Sequence, residues 1–326
     1  MIPGRGKILV VRGGAIGDFI LTLPVFAALR RQFPETRLEV LGYPRIARLA
    51  LAGGLVDEVC SIEARALAGF FARRGSLDER LADYFAGFAV IISYLFDPDG
   101  IFQENVARCS KAQFIVGPHR PDERSNLHAT EALLKPLKRL TILAADPVPQ
   151  LKVAQASRLS ARLPETFGDS DRRDACPTLA LHPGSGSERK NWPEENWIRL
   201  LQHLQTATKF NFLLIGGEAE VERLHRLSAV LRPDRLQLAQ CLPLSELAQR
   251  LHRCGGFIGH DSGITHLAAA VGLSVLVFWG ETNETIWRPR GGRVTVLRSP
   301  EGLQGLSVER VLDELRRFLS ACEDAG

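Results

Sequence analysis

The chain has 326 residues, with 41 Lys and Arg against 37 Asp and Glu, a formal net charge of +4, 45% apolar and 24% charged residues. This is ordinary globular composition, which excludes disorder, collagen and coiled coil for the whole chain, and the length suggests two domains. The charge is too thin for a dedicated nucleic-acid binder, so no nucleic-acid partner is expected, but it suits a phosphate-bearing substrate or an anionic membrane surface.

In chain order, residues 7–11 read as a buried strand, and 18–32 as a helix with Phe19, Leu23, Phe26 and Ala27 on its apolar side. A strand at 37–41, a helix at 44–51 and strands at 56–62, 88–95 and 112–116 follow. The stretch from Pro164 to Pro177 is rich in Pro, Gly, Asp and Arg and reads as a linker. The rhythm then restarts: strand 178–182, helix 194–205, strand 211–215, helices 219–230 and 244–252, strand 256–259, helix 263–271 and strand 274–278. Residues 307–322 close the chain as a helix with Val308, Val311, Leu312, Leu315 and Leu319 on one stripe. Strands alternating with helices predict parallel, doubly wound sheets, and two such halves would enclose a cleft. The expected domains are 1–165, a linker 166–177, 178–306 and a terminal helix 307–326.

The six cysteines, Cys60, Cys109, Cys176, Cys241, Cys254 and Cys322, show no Cys-x-x-Cys spacing, so free thiols in a reducing compartment are expected. The start of the chain lacks the pattern of a secretory signal. The longest uncharged stretch, 262–280, divides at Gly272 into a helical half and a strand half, which argues against a membrane span. A cytoplasmic protein is expected.

Three strand-to-helix turns carry the chemistry. The first is Arg12-Gly13-Gly14-Ala15-Ile16-Gly17-Asp18. A dinucleotide fingerprint needs Gly where Arg12 stands and an acid after strand two, where Tyr43 stands, so an NAD enzyme is disfavoured. Asp18 is either a helix-capping carboxylate or a general base, with Gly17 giving the tight bend. The second turn is His182-Pro183-Gly184-Ser185-Gly186-Ser187-Glu188-Arg189-Lys190-Asn191-Trp192-Pro193. It could be a solvated turn, or a backbone nest with hydroxyls and a cation for a diphosphate. The third, Asp261-Ser262-Gly263-Ile264-Thr265-His266, suits an anion at a helix N-terminus; it is one residue off a nucleophile elbow. Asp97-Pro98-Asp99 reads as a turn rather than a metal site.

Together these turns, with Gly17-Asp18-Phe19-Ile20-Leu21-Thr22-Leu23-Pro24 and the later Trp287-Arg288-Pro289, resemble glycosyltransferase family 9, the ADP-heptose–lipopolysaccharide heptosyltransferases. The resemblance covers nearly the whole chain. It implies two facing Rossmann-like α/β domains of GT-B type, with a nucleotide-sugar donor in the second and an acceptor in the first. It implies metal-independent, inverting transfer of a heptose from an ADP-linked donor, with no cofactor, to a lipid-linked acidic glycan. Asp18 would be the base, with Gly14 and Gly17 in the acceptor-side loop. Donor-binding residues would be Ser185, Gly186, Ser187, Lys190, Gly216, Gly217, Glu218, Leu242, Asp261, Ser262, Gly263, His266 and Thr282. A monomer in peripheral contact with the inner membrane is expected. Trp279 and Glu281 depart from the family pattern and would add bulk and an acid beside the nucleotide. A different donor or acceptor, or a non-catalytic nucleotide-sugar-binding protein, are the alternatives.

Overall fold

The computed structural model describes residues 6–153, 177–186 and 188–323. The linker lies almost wholly outside them, as does Ser187. By their contacts the residues form two compact units.

The first unit holds a five-stranded sheet, built from β1 (Lys7–Arg12), β2 (Leu38–Gly42), β3 (Glu58–Ser61), β4 (Phe88–Ser93) and β5 (Gln113–Val116). Its order is β3-β2-β1-β4-β5 and every pairing is parallel. Val10 lies opposite Val40 on one side and Ile92 on the other. Parallel strands are covered on both faces, so they read as continuous apolar runs, and Ile8 to Val11 are all fully buried. Leu9, Val11 and Ile91 pack with Phe70, Phe85 and Phe102 in the core.

The predicted helix 18–32 is two helices, Ile16–Ile20 and Leu23–Gln32. Pro24 explains the break, because it lacks an N–H and its ring collides with the carbonyl one turn earlier. The chain turns at Thr22, whose hydroxyl donates to Asp18 O at 2.8 Å.

The second unit holds a six-stranded parallel sheet of order β11-β10-β9-β6-β7-β8. The strands are β6 (Thr178–His182), β7 (Asn211–Gly216), β8 (Leu236–Gln240), β9 (Gly256–His260), β10 (Val275–Phe278) and β11 (Val294–Leu297). The edge strands β8 and β11 were not expected from the sequence. The predicted helix 219–230 narrows to Val221–Ser228. Trp192, Trp197, Leu200, Leu204 and Phe278 form the core, joined by Val311, Leu315 and Phe318 of the terminal helix Val308–Glu323. Each such side chain contributes about 1.5–3 kcal/mol on burial.

The sequence put 178–306 in one domain. The contacts instead assign Asn283–Arg288 to the first unit. There His128 Nε2 lies 2.8 Å from Arg288 O. Among the described residues, no helix is long and apolar enough to cross a membrane.

Candidate functional site

In doubly wound sheets ligands gather beyond the carboxyl ends of the strands, where the strand order reverses. Each unit has one such point: between β1 and β4 in the first sheet, and between β6 and β9 in the second.

In the first unit the turn after β1 sits at that point. Gly14 has φ +98°, and a Cβ on it would come within 2.8 Å of Asp18 Oδ2. The tight bend assigned to Gly17 therefore belongs to Gly14, while Gly17 lies inside helix Ile16–Ile20. Asp18 is the third residue of that helix rather than its cap. Its Oδ2 accepts the Ala15 N–H at 2.9 Å, which fills one open donor at the helix start. Arg12, buried at the end of β1, stands with its Nη2 3.7 Å from Asp18 Oδ1. Asp97 accepts the N–H groups of Phe102 and Gln103 at 3.2 and 3.1 Å, so Asp97-Pro98-Asp99 is a turn and helix cap.

In the second unit three loops converge. Lys190, from the turn after β6, places its Nζ 3.3 Å from Asp261 Oδ2, after β9. Thr282, after β10, donates its hydroxyl to the same oxygen. The Lys190 side chain is 45% exposed and Asp261 11%, so the cation is the more accessible partner. Ser262 caps helix Gly263–Ala270 by accepting the Thr265 N–H at 3.4 Å, and His266 is buried on that helix. Trp279 is fully buried and donates its Nε1–H to Thr282 O at 2.8 Å. The ring of Trp279 is packed inside the unit and holds the Thr282 carbonyl.

The glycines of the turn after β6 are tied to the turn after β7. Gly186, at φ +71°, donates its N–H to Glu220 Oε1 at 3.1 Å, and Gly217 donates to Glu220 Oε2 at 2.9 Å. A Cβ on Gly184 would lie 2.2 Å from Glu220 Cγ. One buried carboxylate thus clasps the turns after β6 and β7. Ser185 donates to Asn191 Oδ1 at 2.8 Å. Gly216 O accepts the Cys241 N–H at 2.9 Å, Leu242 is half-buried next to it, and Glu218 is exposed.

His182 and His260 end β6 and β9 side by side, both buried. His260 Nε2 accepts the Trp192 N–H at 2.9 Å, and its Nδ1 donates to Gly184 O at 3.3 Å. Only a neutral ring satisfies both bonds. Burial pushes the pKa of His182 down to about 4 and that of His260 down to about 3. Both folded values lie below the unfolded value, so stability is complete above about pH 6.5 and falls as pH drops towards 4. The expected slope is roughly 1 kcal/mol per pH unit for each ring. Melting temperature should decline steadily from pH 7 to pH 4.5, and two imidazole proton resonances should not titrate above pH 5. Eight freely titrating imidazoles would contradict this.

The family model for glycosyltransferase family 9 (heptosyltransferase) matches residues 119–312, more than half of the chain. The chain belongs to glycosyltransferase family 9. It is 22% identical over 322 residues to lipopolysaccharide heptosyltransferase 1 of Escherichia coli K12, covering 95% of this chain and 99% of that one. Among solved structures, a family 9 glycosyl transferase from Veillonella parvula superposes with a TM-score of 0.76 at 17% identity, over 98% of this chain and 99% of that chain. The E. coli ADP-heptose lipopolysaccharide heptosyltransferase II follows with TM-score 0.74 at 17% identity, over 97% and 99% of the two chains. These likenesses show the fold, two doubly wound α/β units of the GT-B-like kind. The protein is a glycosyltransferase of the lipopolysaccharide heptosyltransferase family.

Sequence reading of this family 9 enzyme missed Arg12, Glu220 and Arg223. Arg223 donates to Pro183 O at 3.1 Å and to both Glu188 oxygens at 2.9 and 2.8 Å, bracing the loop that carries Lys190. The signal for Glu220 was its place three residues after Gly217, the spacing at which a Glu can reach back to a helix-start N–H.

Proposed function

We propose that this glycosyltransferase moves a heptose from an ADP-linked donor to a hydroxyl of a lipid-linked, acidic lipopolysaccharide core glycan, inverting the anomeric centre. The acceptor oxygen attacks the anomeric carbon, the bond from that carbon to the diphosphate breaks, and ADP departs. Asp18 takes the hydroxyl proton. Lys190 and the N-terminus of helix Gly263–Ala270 stabilise the charge gathering on the diphosphate, with Thr282 and Ser262 beside them. These groups supply the positive potential that a divalent metal supplies in other transferases, so neither metal nor cofactor is required. The enzyme would act as a monomer at the cytoplasmic face of the inner membrane, where a lipid-linked acceptor is presented.

The observation that carries this reading is the convergence of Lys190, Asp261 and Thr282 beside a capped helix N-terminus at the β6/β9 reversal. Its test is a thermal-shift comparison of ADP, UDP, GDP and CDP with excess EDTA throughout. ADP at 100 times its dissociation constant should stabilise by about 2.7 kcal/mol. The shift should survive EDTA, and ADP-heptose should be turned over in the same buffer. Preference for a uridine or guanosine diphosphate, or loss of turnover with EDTA, would overturn the donor assignment or its metal independence.

A further inference from the structure

Arg12 ends β1 at the β1/β4 reversal and is 4% exposed. Its guanidinium reaches three separate segments. Nη2 donates to Asp18 O at 3.1 Å, and Nη1 donates to His119 O at 2.9 Å and reaches Tyr94 O at 3.5 Å. Burial lowers its pKa, with the Asp18 carboxylate opposing that shift, but guanidinium remains charged in proteins. Arg12 Nε is buried without a hydrogen-bond partner among the described residues. A buried cation with an unsatisfied N–H is costly, and removing it alone leaves its carbonyl and carboxylate partners uncompensated.

The position of the charge relative to Asp18 suggests its use. Asp18 Oδ2 is tied to the Ala15 N–H at 2.9 Å. Asp18 Oδ1 lies 3.7 Å from Arg12 Nη2, beyond hydrogen-bond reach. The two carboxylate oxygens therefore differ: Oδ2 is anchored, and Oδ1 faces a fixed cation without a hydrogen bond to it among the described residues. We propose that Arg12 is a positioning residue for the general base. It fixes the helix that carries Asp18 through the Asp18 carbonyl, and it orients Oδ1 as the oxygen that receives the acceptor proton. This rests on the reading of Asp18 as base.

The test is a double-mutant cycle on the full chain, with Arg12→Met, Asp18→Asn and the pair. It uses ADP-heptose with a heptose-free lipopolysaccharide core as acceptor. Arg12→Met should lower kcat about 10–100-fold, with ADP affinity within twofold of the parent, since residues acting as a unit lose rate once rather than twice. In the Asp18→Asn background the same substitution should change the residual rate by less than about threefold. A loss that multiplies undiminished in that background would show that Arg12 acts independently of Asp18 and would overturn the inference, as would parental rates for Arg12→Met. Parental rates for Asp18→Asn would instead refute the base itself. Should Arg12→Met not fold, Arg12→Lys runs the same cycle: it keeps the charge, loses the fork, and is expected to lose at least threefold in kcat with the same non-additivity.

Discussion

Asp18→Asn is expected to fold, to bind ADP normally and to turn over at least 100-fold more slowly than the parent. Asn has the same shape, and its amide oxygen can accept the Ala15 N–H that Asp18 Oδ2 accepts at 2.9 Å. The helix start therefore keeps its bond, and melting temperature should stay within a few degrees. Asn cannot take up the acceptor proton, and losing a general base costs about 10²–10⁴-fold in rate. A purely structural carboxylate predicts near-parental turnover. Measuring rate and ADP affinity on one variant separates the two, and near-normal turnover would leave Asp18 a helix-start residue only.

Lys190→Ala is expected to weaken ADP binding about 10–100-fold while hardly changing stability. The ammonium is 45% exposed, and its pair with Asp261 at 3.3 Å is of the surface kind, worth about 0–1 kcal/mol to folding. Against a diphosphate a charge-assisted hydrogen bond is worth about 1.5–3 kcal/mol. The substitution also leaves Asp261, still bonded to Thr282, as uncompensated negative charge near the ligand. Titration calorimetry with ADP decides the matter, and affinity within twofold of the parent would remove Lys190 from the diphosphate site.

The inner strands were legible because a strand covered on both faces is one apolar run: Ile8 to Val11, Val90 to Ile92 and Val275 to Phe278 each stand out. The edge strands were not. β8 reads Leu-Gln-Leu-Ala-Gln with Leu238 44% exposed, a mixed pattern that a loop could equally carry. Lys190, Asp261 and Ser262 were visible because each lies in a turn between a strand and a helix, where chain order alone sets the local geometry. Arg12 and Glu220 were not, because a buried charge and a solvated one look alike in sequence. Only the sheet order sets Arg12 beside His119, 107 residues away. Asp18 stood out as a candidate, but its neighbours were misjudged: Pro24 as the helix breaker and Gly14 as the bend became evident only from the backbone.

The assignment of Asn283–Arg288 to the first unit means that the chain crosses between the units after Lys152, again after Thr282 and again after Arg288. Ile286 in that segment is fully buried, and Arg288 O meets His128. Neither unit is thus a single continuous stretch of chain, which governs how this chain can be recombined with a relative. A hybrid with one junction near residue 153 would set one parent's His128 against another parent's 283–288 segment. A hybrid with junctions at all three crossings would keep each unit's residues from a single parent. A piece cut at residue 300 would lose Val311, Leu315 and Phe318 from the second core, along with Leu306 O, which accepts the Trp192 indole N–H at 2.7 Å. Exchanging one whole unit of this chain is therefore a matter of three seams rather than one.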